Sequence, residues 1–487
     1  MTAPLGVEDY RALLSIALPP AQDADTVEPN RNNLFTPDSH RLALDPDTTV
    51  VRGGRGVGKT FWFRSLLDPA LRAIAADEYR IGKLNRLEVA AGYGAALDPD
   101  RYPGPSELRH LVDSGIAPYE LWTTVLLVAL QQPDLIGIRD WKDKVAWVRK
   151  HPAERDRTIA DADRAGRAQE TVHLILFDAL EHLHLDRRQA DRLVAGILQV
   201  ALELRLSTRS IRCKVFIRPD MFDGALLHFP DASKLTSNAA SLKWTPPNLY
   251  GLFFHYLGNE DASTAAAFRE LESGWQESAE GRYVPPAALL GDETLQAAIF
   301  TKLAGPYMGA NFRKGHTYTW LPNHLMDGAE QVSPRSFLDA LSKAVEETVA
   351  QYAGHGFPIH HEGIRRGVQS ASRTRVREIR EDMPWVQTVI EPLAGQQVPI
   401  EEDTVVELWS EARLSERLHL QAERAATEEE ERVRTGPRDP HDYPVLVEEL
   451  IELGVMRRRK DGRIDLPDVY RIAFSVGRKG GVPKVKP

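Results

Sequence analysis

Four short apolar runs divide the first half of the chain: "TTVV" (48–51), "RLEVAAGY" (86–93), "VHLILFD" (172–178) and "CKVFIRP" (213–219). Helix-length segments separate them, which predicts parallel βαβ units with helices on both faces of one sheet. "VHLILF" is apolar on both alternating faces, the pattern of a strand buried on each side. Between 93 and 172 lie a buried-type helix, "ELWTTVLLVAL", and the polar stretch "RKHPAERDRTIADADRAGRAQE". The latter reads as an exposed helix and loop inserted into the core.

From about residue 248 the period changes from two to three or four. "NLYGLFFHYL", "TAAAFRELESGW", "DETLQAAIFTKL" and "PRSFLDALSKAVEETVAQY" each carry a helical apolar stripe. A mixed connector follows, ending in a charged helix whose "EEEE" (428–431) reads as a solvated face. The last segment starts with an amphipathic helix ending at Gly454, then places two short strands around the "KDG" turn. A helix followed by a hairpin is how a winged-helix domain finishes. The stretch before 48 is rich in Pro, Asp and Asn after one short helix, and predicts a surface arm. The expected organisation is an arm (1–47), an α/β core (48–247), an all-helical lid (248–352), a helical connector (353–435) and a basic winged-helix-like domain (436–487). No repeat of 20 to 50 residues is present.

The strongest chemistry follows the first strand. Gly53, Gly54, Arg55, Gly56, Val57, Gly58, Lys59 and Thr60 spell G-x-x-x-x-G-K-[ST] between a β-type run and the helix-forming "FWFRSLL". Glycines let backbone N–H groups curl around phosphate oxygens, and a helix beginning there adds its positive end. Lys59 would meet the β- and γ-phosphates, and the Thr60 hydroxyl would ligate Mg²⁺. The alternative is a chance glycine-rich turn. Such a loop needs an acid at the end of a buried strand, and "VHLILF" is followed by Asp178, which is either the second Mg²⁺ ligand or a bland strand-end cap. Glu181 is either the base that activates water or an ordinary acid at a helix start. Arg218, at the tip of "CKVFIRP", either senses the γ-phosphate or pairs with Asp220 or Asp223. Arg335, opening the helix "SPRSFLDAL", is either a lid residue turned onto nucleotide or a solvated helix-start arginine.

Taken in order, "GGRGVGKT", "LILFDALE", "KVFIRPD" and "SPRSF" resemble P-loop ATPases of the AAA+/STAND type, close to the bacterial KAP-like ATPases. The resemblance is firm over roughly 30–350 and looser over the C-terminal domain. It implies an ATP- and Mg²⁺-binding switch built from a core, a helical lid and a winged helix. Lys59 and Thr60 would serve phosphate and metal, Asp178 the metal, Glu181 the base, and Arg218 and Arg335 the two sensors. Phage defence or stress signalling is the setting it suggests. Asp178 is followed by Ala179 and not by a second acid, which implies slow hydrolysis. No arginine finger stands out, so the sequence supports no ring, although self-association is compatible with it. Two other functions are weighed: a nucleotide-gated winged-helix DNA-binding regulator, and a P-loop kinase, against which the long lid and basic wing argue.

The chain is −9 overall with a pI near 6.0, so any polyanion-binding surface must be local. The segment after Met456 is the basic exception, with Arg457, Arg458, Arg459, Lys460, Arg463, Arg478 and Lys479 as candidate DNA contacts. The alternative is that they pack against acidic groups of the same chain. Through this domain a DNA or protein partner is expected. The only cysteine is Cys213, which excludes an internal disulfide and a multi-cysteine zinc site. The histidines of "EHLHLD" and "IHH" have no further ligands at metal spacing and read as ordinary helix and loop residues. Trp62, Trp122, Trp244 and Trp320 read as core anchors. With no basic leader and no spanning run, a cytoplasmic protein without membrane contact is expected.

Overall fold

A computed structural model describes residues 5–18, 28–184, 187–226, 229, 231–261, 263–278, 281–427 and 436–478. These fall into two compact units: residues 28–30 with 38–243, and residues 5–18 and 31–37 with 244–478. The chain break between them falls after Lys243. No helix among the described residues is long and apolar enough to cross a membrane.

The first unit is an α/β layer structure. Its five strands are β1 (Val50–Arg52), β2 (Leu87–Tyr93), β3 (Val172–Phe177), β4 (Ile211–Ile217) and β5 (Ala239–Ser241). All neighbours run parallel, in the order β2-β3-β4-β1-β5. Leu174, Ile175, Leu176 and Phe177 are each at most 1% exposed, although successive side chains of a strand point to opposite faces. Both faces are therefore covered, as the unbroken apolar run predicts. In the numbering used here, α1 is Val7–Ala17 in the other unit, and α2 (Lys59–Leu67), α3 (Pro118–Ala129), α4 (Pro152–Gln169) and α5 (Arg187–Ser207) belong to this one. Helix α2 packs against β2 and β4, α3 against β2, and α5 against β4 and α3. The polar insertion forms α4, a single 18-residue helix with Asp163 and Gly166 as its buried residues.

Because the strands are parallel, their carboxyl ends share one edge. The register pairs Arg52 with Ile217 and Phe177 with Val215, so the loops after β1, β3 and β4 emerge side by side. That crevice is where open parallel sheets place ligands. Lys214 fixes the approach to β1. Its buried ammonium donates to the carbonyls of Ala43 (2.7 Å), Asp45 (2.9 Å) and Thr48 (2.8 Å). Burial lowers its pKa to about 7.

The second unit is almost wholly helical. Helix α6 (Pro246–Gly258) is buried along most of its length. Helices α7 (Pro334–Gln351) and α8 (His361–Asp382) pack closely, because α8 carries glycines one turn apart. A Cβ on Gly363 would lie 2.6 Å from the Ala344 carbonyl oxygen, and one on Gly367 would lie 2.1 Å from that of Ala340. Beyond α8 come α9 (Pro384–Ile390), β6 (Gln397–Val398), α10 (Glu402–Glu411), α11 (Leu414–Thr427), α12 (Tyr443–Glu452), β7 (Arg457–Arg458), β8 (Ile464–Asp465), α13 (Asp468–Arg471) and β9 (Gly477–Arg478). Strands β7 and β8 form the expected antiparallel hairpin, with Gly462 at φ +87° in its turn. Ile400 bridges Ile464, and β9 runs parallel to β6.

Three expectations change here. The N-terminal stretch is no surface arm: Leu13 and Leu14 of α1 and Leu34 are fully buried, and Phe35 stacks near Trp244. Arg11 explains the docking of α1. Its guanidinium donates to carbonyls of Tyr352, Ala353, His355, Phe357 and Pro358 at the end of α7. Second, the segment 353–435 is more than a connector. One apolar core runs from Val376 through Trp385, Val389 and Trp409 to Leu446, Ile464 and Val476. Third, Trp62, Trp122 and Trp244 are buried, but Trp320 is only half-buried and stacks on His324 at 3.9 Å between ring centres. The run 428–431 lies outside the described residues.

Candidate nucleotide-binding site

The loop after β1 is built by backbone bonds to both neighbouring strands. Gly53 N–H donates to the Ile217 carbonyl (3.0 Å), and Leu242 N–H donates to that of Arg52 (2.8 Å). The chain then turns through Gly56 (φ +71°) and Gly58 (φ +101°), a region where a Cβ is strained. Gly53 is required for a different reason. Val57 folds under the loop, and a Cβ on Gly53 would lie 2.6 Å from its Cγ2. Gly58 caps α2, so the first helical N–H groups face the loop. Behind it, Trp62 Nε1–H donates to Nδ1 of the buried His40 at 3.0 Å. Burial lowers the His40 pKa to about 3, so the ring is neutral and can accept that bond.

Lys59 bends back over the loop and donates to the carbonyls of Gly53 (3.0 Å) and Gly54 (2.9 Å). Burial lowers its pKa, against the attraction of Glu181 and Asp178. Asp178 sits just past β3, its N–H bonded to the Tyr93 carbonyl at 3.1 Å. The Thr60 side chain stands close enough to the Asp178 carboxylate to favour the ionised form. Burial and the nearby Glu181 raise its pKa to about 6, while Thr60 and Lys59 act in the other direction. Oδ2 of Asp178 is buried with no hydrogen-bond partner. The next residue, Ala179, holds φ +56°, a left-handed conformation unusual without glycine. That turn feeds a short 3₁₀ segment, Leu180–His182, which carries Glu181. Burial disfavours the Glu181 carboxylate, but Lys59 leads a set of groups that hold its pKa below the usual value.

These residues fit a nucleotide-bound Mg²⁺. A hydroxyl and a buried carboxylate oxygen lacking a partner are hard oxygen donors, and phosphates would supply more. No group of three or more His, Cys, Asp or Glu among the described residues could hold a metal ion by itself.

Arg218 lies at the end of β4 and makes a two-pronged pair with Asp220, Nε to Oδ1 at 3.0 Å and Nη2 to Oδ2 at 2.9 Å. Its charge acts on Lys59 and Glu181, so it belongs to the same cluster. Arg335 is in the helical unit, where its guanidinium pairs with Glu378 of α8. Beside it, burial and Glu378 raise the Asp339 pKa to about 6.

The cations around the hairpin are mostly engaged. Arg457 pairs with the buried Asp465 at 2.9 Å, and Arg458 with Glu402 and Glu448. Arg463 pairs with Asp461 at 2.6 Å, and Arg478 with Asp465 and Asp468. Arg459 and Lys460 are exposed at the turn; Lys479 lies outside the described residues. Helix α12, packed beside the hairpin, supplies Glu448 to Arg458 and Glu452 to Arg438. The packing alternative weighed from sequence is thus realised for four of the seven candidates.

No protein-family model matches the chain. None of the curated proteins matches it either. Among solved structures, it is similar to that of the ORC2 protein of Aeropyrum pernix in ADPNP–ADP complexes. Sequence identity is 13%, the TM-score is 0.36, and the match spans 87% of this chain and 84% of that one.

Proposed function

We propose that the chain is an ATP-binding, slowly ATP-hydrolysing switch of the AAA+/STAND type. The observation carrying this reading is the Thr60–Asp178 contact beside the Lys59 loop, with one buried carboxylate oxygen left without a partner. In this reading the loop N–H groups and Lys59 bind the phosphates, with Thr60 and Asp178 holding Mg²⁺. When bound, Mg²⁺ neutralises phosphate charge along the reaction path. Glu181, ionised at neutral pH, accepts a proton from the attacking water. Arg218 is pre-oriented by Asp220 to meet developing negative charge. Arg335 is the lid-sensor candidate that the family resemblance implies, and within the helical unit its guanidinium pairs with Glu378.

The C-terminal part is read as a winged-helix domain spanning α9 to β8. Its paired cations favour an internal or protein-facing role over direct DNA contact through the wing. Phage defence or stress signalling is the setting that the family resemblance suggests. The deciding experiment is ATP binding and phosphate release by the full chain and its Lys59→Ala and Asp178→Asn variants. Unchanged affinity and turnover in both would overturn the assignment.

A further inference from the structure

With Arg457, Arg458, Arg463 and Arg478 of the hairpin region engaged by carboxylates, a larger set of uncommitted cations lies elsewhere. Helix α8 presents Arg373, Arg377 and Arg380, each exposed, at spacings of four and three residues. Such spacing puts three guanidinium groups on one helical face. Many other exposed or half-exposed arginines of this unit are paired: Arg366 with Glu347, Arg417 with Glu391, Arg438 with Glu452 and Arg458 with Glu402. Among the described residues these three have no carboxylate partner. The stripe borders an open cleft of about 540 Å³, where Arg377 and Arg380 face the polar side chains of Gln387, Thr388 and Gln421. Two carboxylates line the same cleft, Glu381 and Glu391, and Glu391 is held by Arg417 and Gln387.

We infer that this face of α8 binds the phosphate backbone of a nucleic-acid duplex, without reading its bases. The three arginines span about 10.5 Å of helix axis, about three phosphate-to-phosphate steps of one strand at about 3.4 Å each, which is enough length for each to meet its own phosphate. Beside the arginines and the two carboxylates, the cleft offers the amides of Gln387 and Gln421 and the hydroxyl of Thr388, which suit phosphate and sugar oxygens. None of the apolar side chains that anchor a protein in a bilayer lines it, which favours nucleic acid over an anionic membrane. A chain carrying −9 overall needs such a local basic face to approach a polyanion at all.

The test uses the full chain with a labelled short DNA duplex of random sequence, read by fluorescence anisotropy across salt. Three phosphate contacts predict a loss of about 40-fold between about 50 and about 200 mM salt. The triple variant Arg373→Gln/Arg377→Gln/Arg380→Gln should lose binding more than tenfold at low salt and flatten the salt slope. The corresponding triple Arg→Lys variant should retain most of it, because the contact is electrostatic. Equal melting temperatures of the parent and both variants establish that each is folded. Lys59→Ala should bind the duplex like the parent, which separates this surface from the nucleotide reading. The inference fails if the parent does not bind at low salt, or if the Gln triple variant binds unchanged. It also fails if Arg459→Gln/Lys460→Gln abolishes binding in its place, or if anionic vesicles bind the stripe while the duplex does not.

Discussion

The Thr60 side chain acts directly on the Asp178 carboxylate and favours its ionised form, linking the loop after β1 to the end of β3 across the strand that separates them. The contact leaves Oδ2 of Asp178 buried and without a partner. A buried carboxylate in that state is costly to ionise, and the cost is recovered only when a cation arrives.

Asp178→Asn should therefore separate stability from binding. The folded pKa of about 6 lies above the unfolded value of 3.8, so the stabilising effect of the protonated group is full below pH 3.8. It is lost as pH rises through about 6. At pH 7.5 the neutral variant should be more stable than the parent by up to about 3 kcal/mol, and below pH 4 the two should converge. Over the same range it should lose the Mg²⁺-dependent gain in ATP affinity. Chemical denaturation and titration calorimetry at several pH values check both parts.

Lys59→Ala should weaken ATP binding by about 10- to 100-fold, the scale of one or two charge-assisted hydrogen bonds. Folding should be little affected, since the Gly53 and Gly54 carbonyls that hold the ammonium lie at a partly exposed loop. A fluorescent-nucleotide displacement assay alongside thermal melting reads both quantities.

Gly367→Ala should destabilise the helical unit by about 2–3 kcal/mol or more, because α7 must retreat from a Cβ placed 2.1 Å from the Ala340 carbonyl oxygen. Gly354→Ala, whose Cβ meets no atom within 4 Å, is the matched control and should change stability by less than about 0.5 kcal/mol. Urea midpoints of the two variants decide the point.

Asp465→Ala should cost about 2–3 kcal/mol, less than a fully buried pair because Arg457 and Arg478 are partly exposed. Arg459→Gln/Lys460→Gln, at the same hairpin, should be neutral. A thermal shift for the first and none for the second would show that the basic hairpin is held together by its own acids.

How legible each part was depends on how local its cause is. The loop 53–60 is a contiguous motif with fixed backbone demands, and Asp178 closes an unbroken apolar run, so both can be read from neighbours alone. Arg218 and its partner Asp220 are two residues apart, which is why the pairing could be named as an alternative. The docking of α1 could not be foreseen, because the carbonyls that receive Arg11 lie at 352–358. Around the hairpin, Arg457, Arg463 and Arg478 pair with aspartates close in sequence, which is why packing against the chain's own acids could be named as an alternative, whereas the distant Glu402 partner of Arg458 could not be foreseen. Lys214 reads as one polar residue in an apolar strand, and nothing nearby announces three carbonyl acceptors. Gly363 and Gly367 carry a one-turn spacing that signals close helix approach, but not against which helix.

The grip of Arg11 on the turn after α7 has a consequence for the order of events on the ribosome. Helix α1 emerges well before its partners, which are among the later segments, while residues 38–243 hold everything their own sheet requires. The sheet unit can close during synthesis. Throughout that interval α1 waits with Leu13 and Leu14 uncovered, and it is seated only after residue 358 has been made.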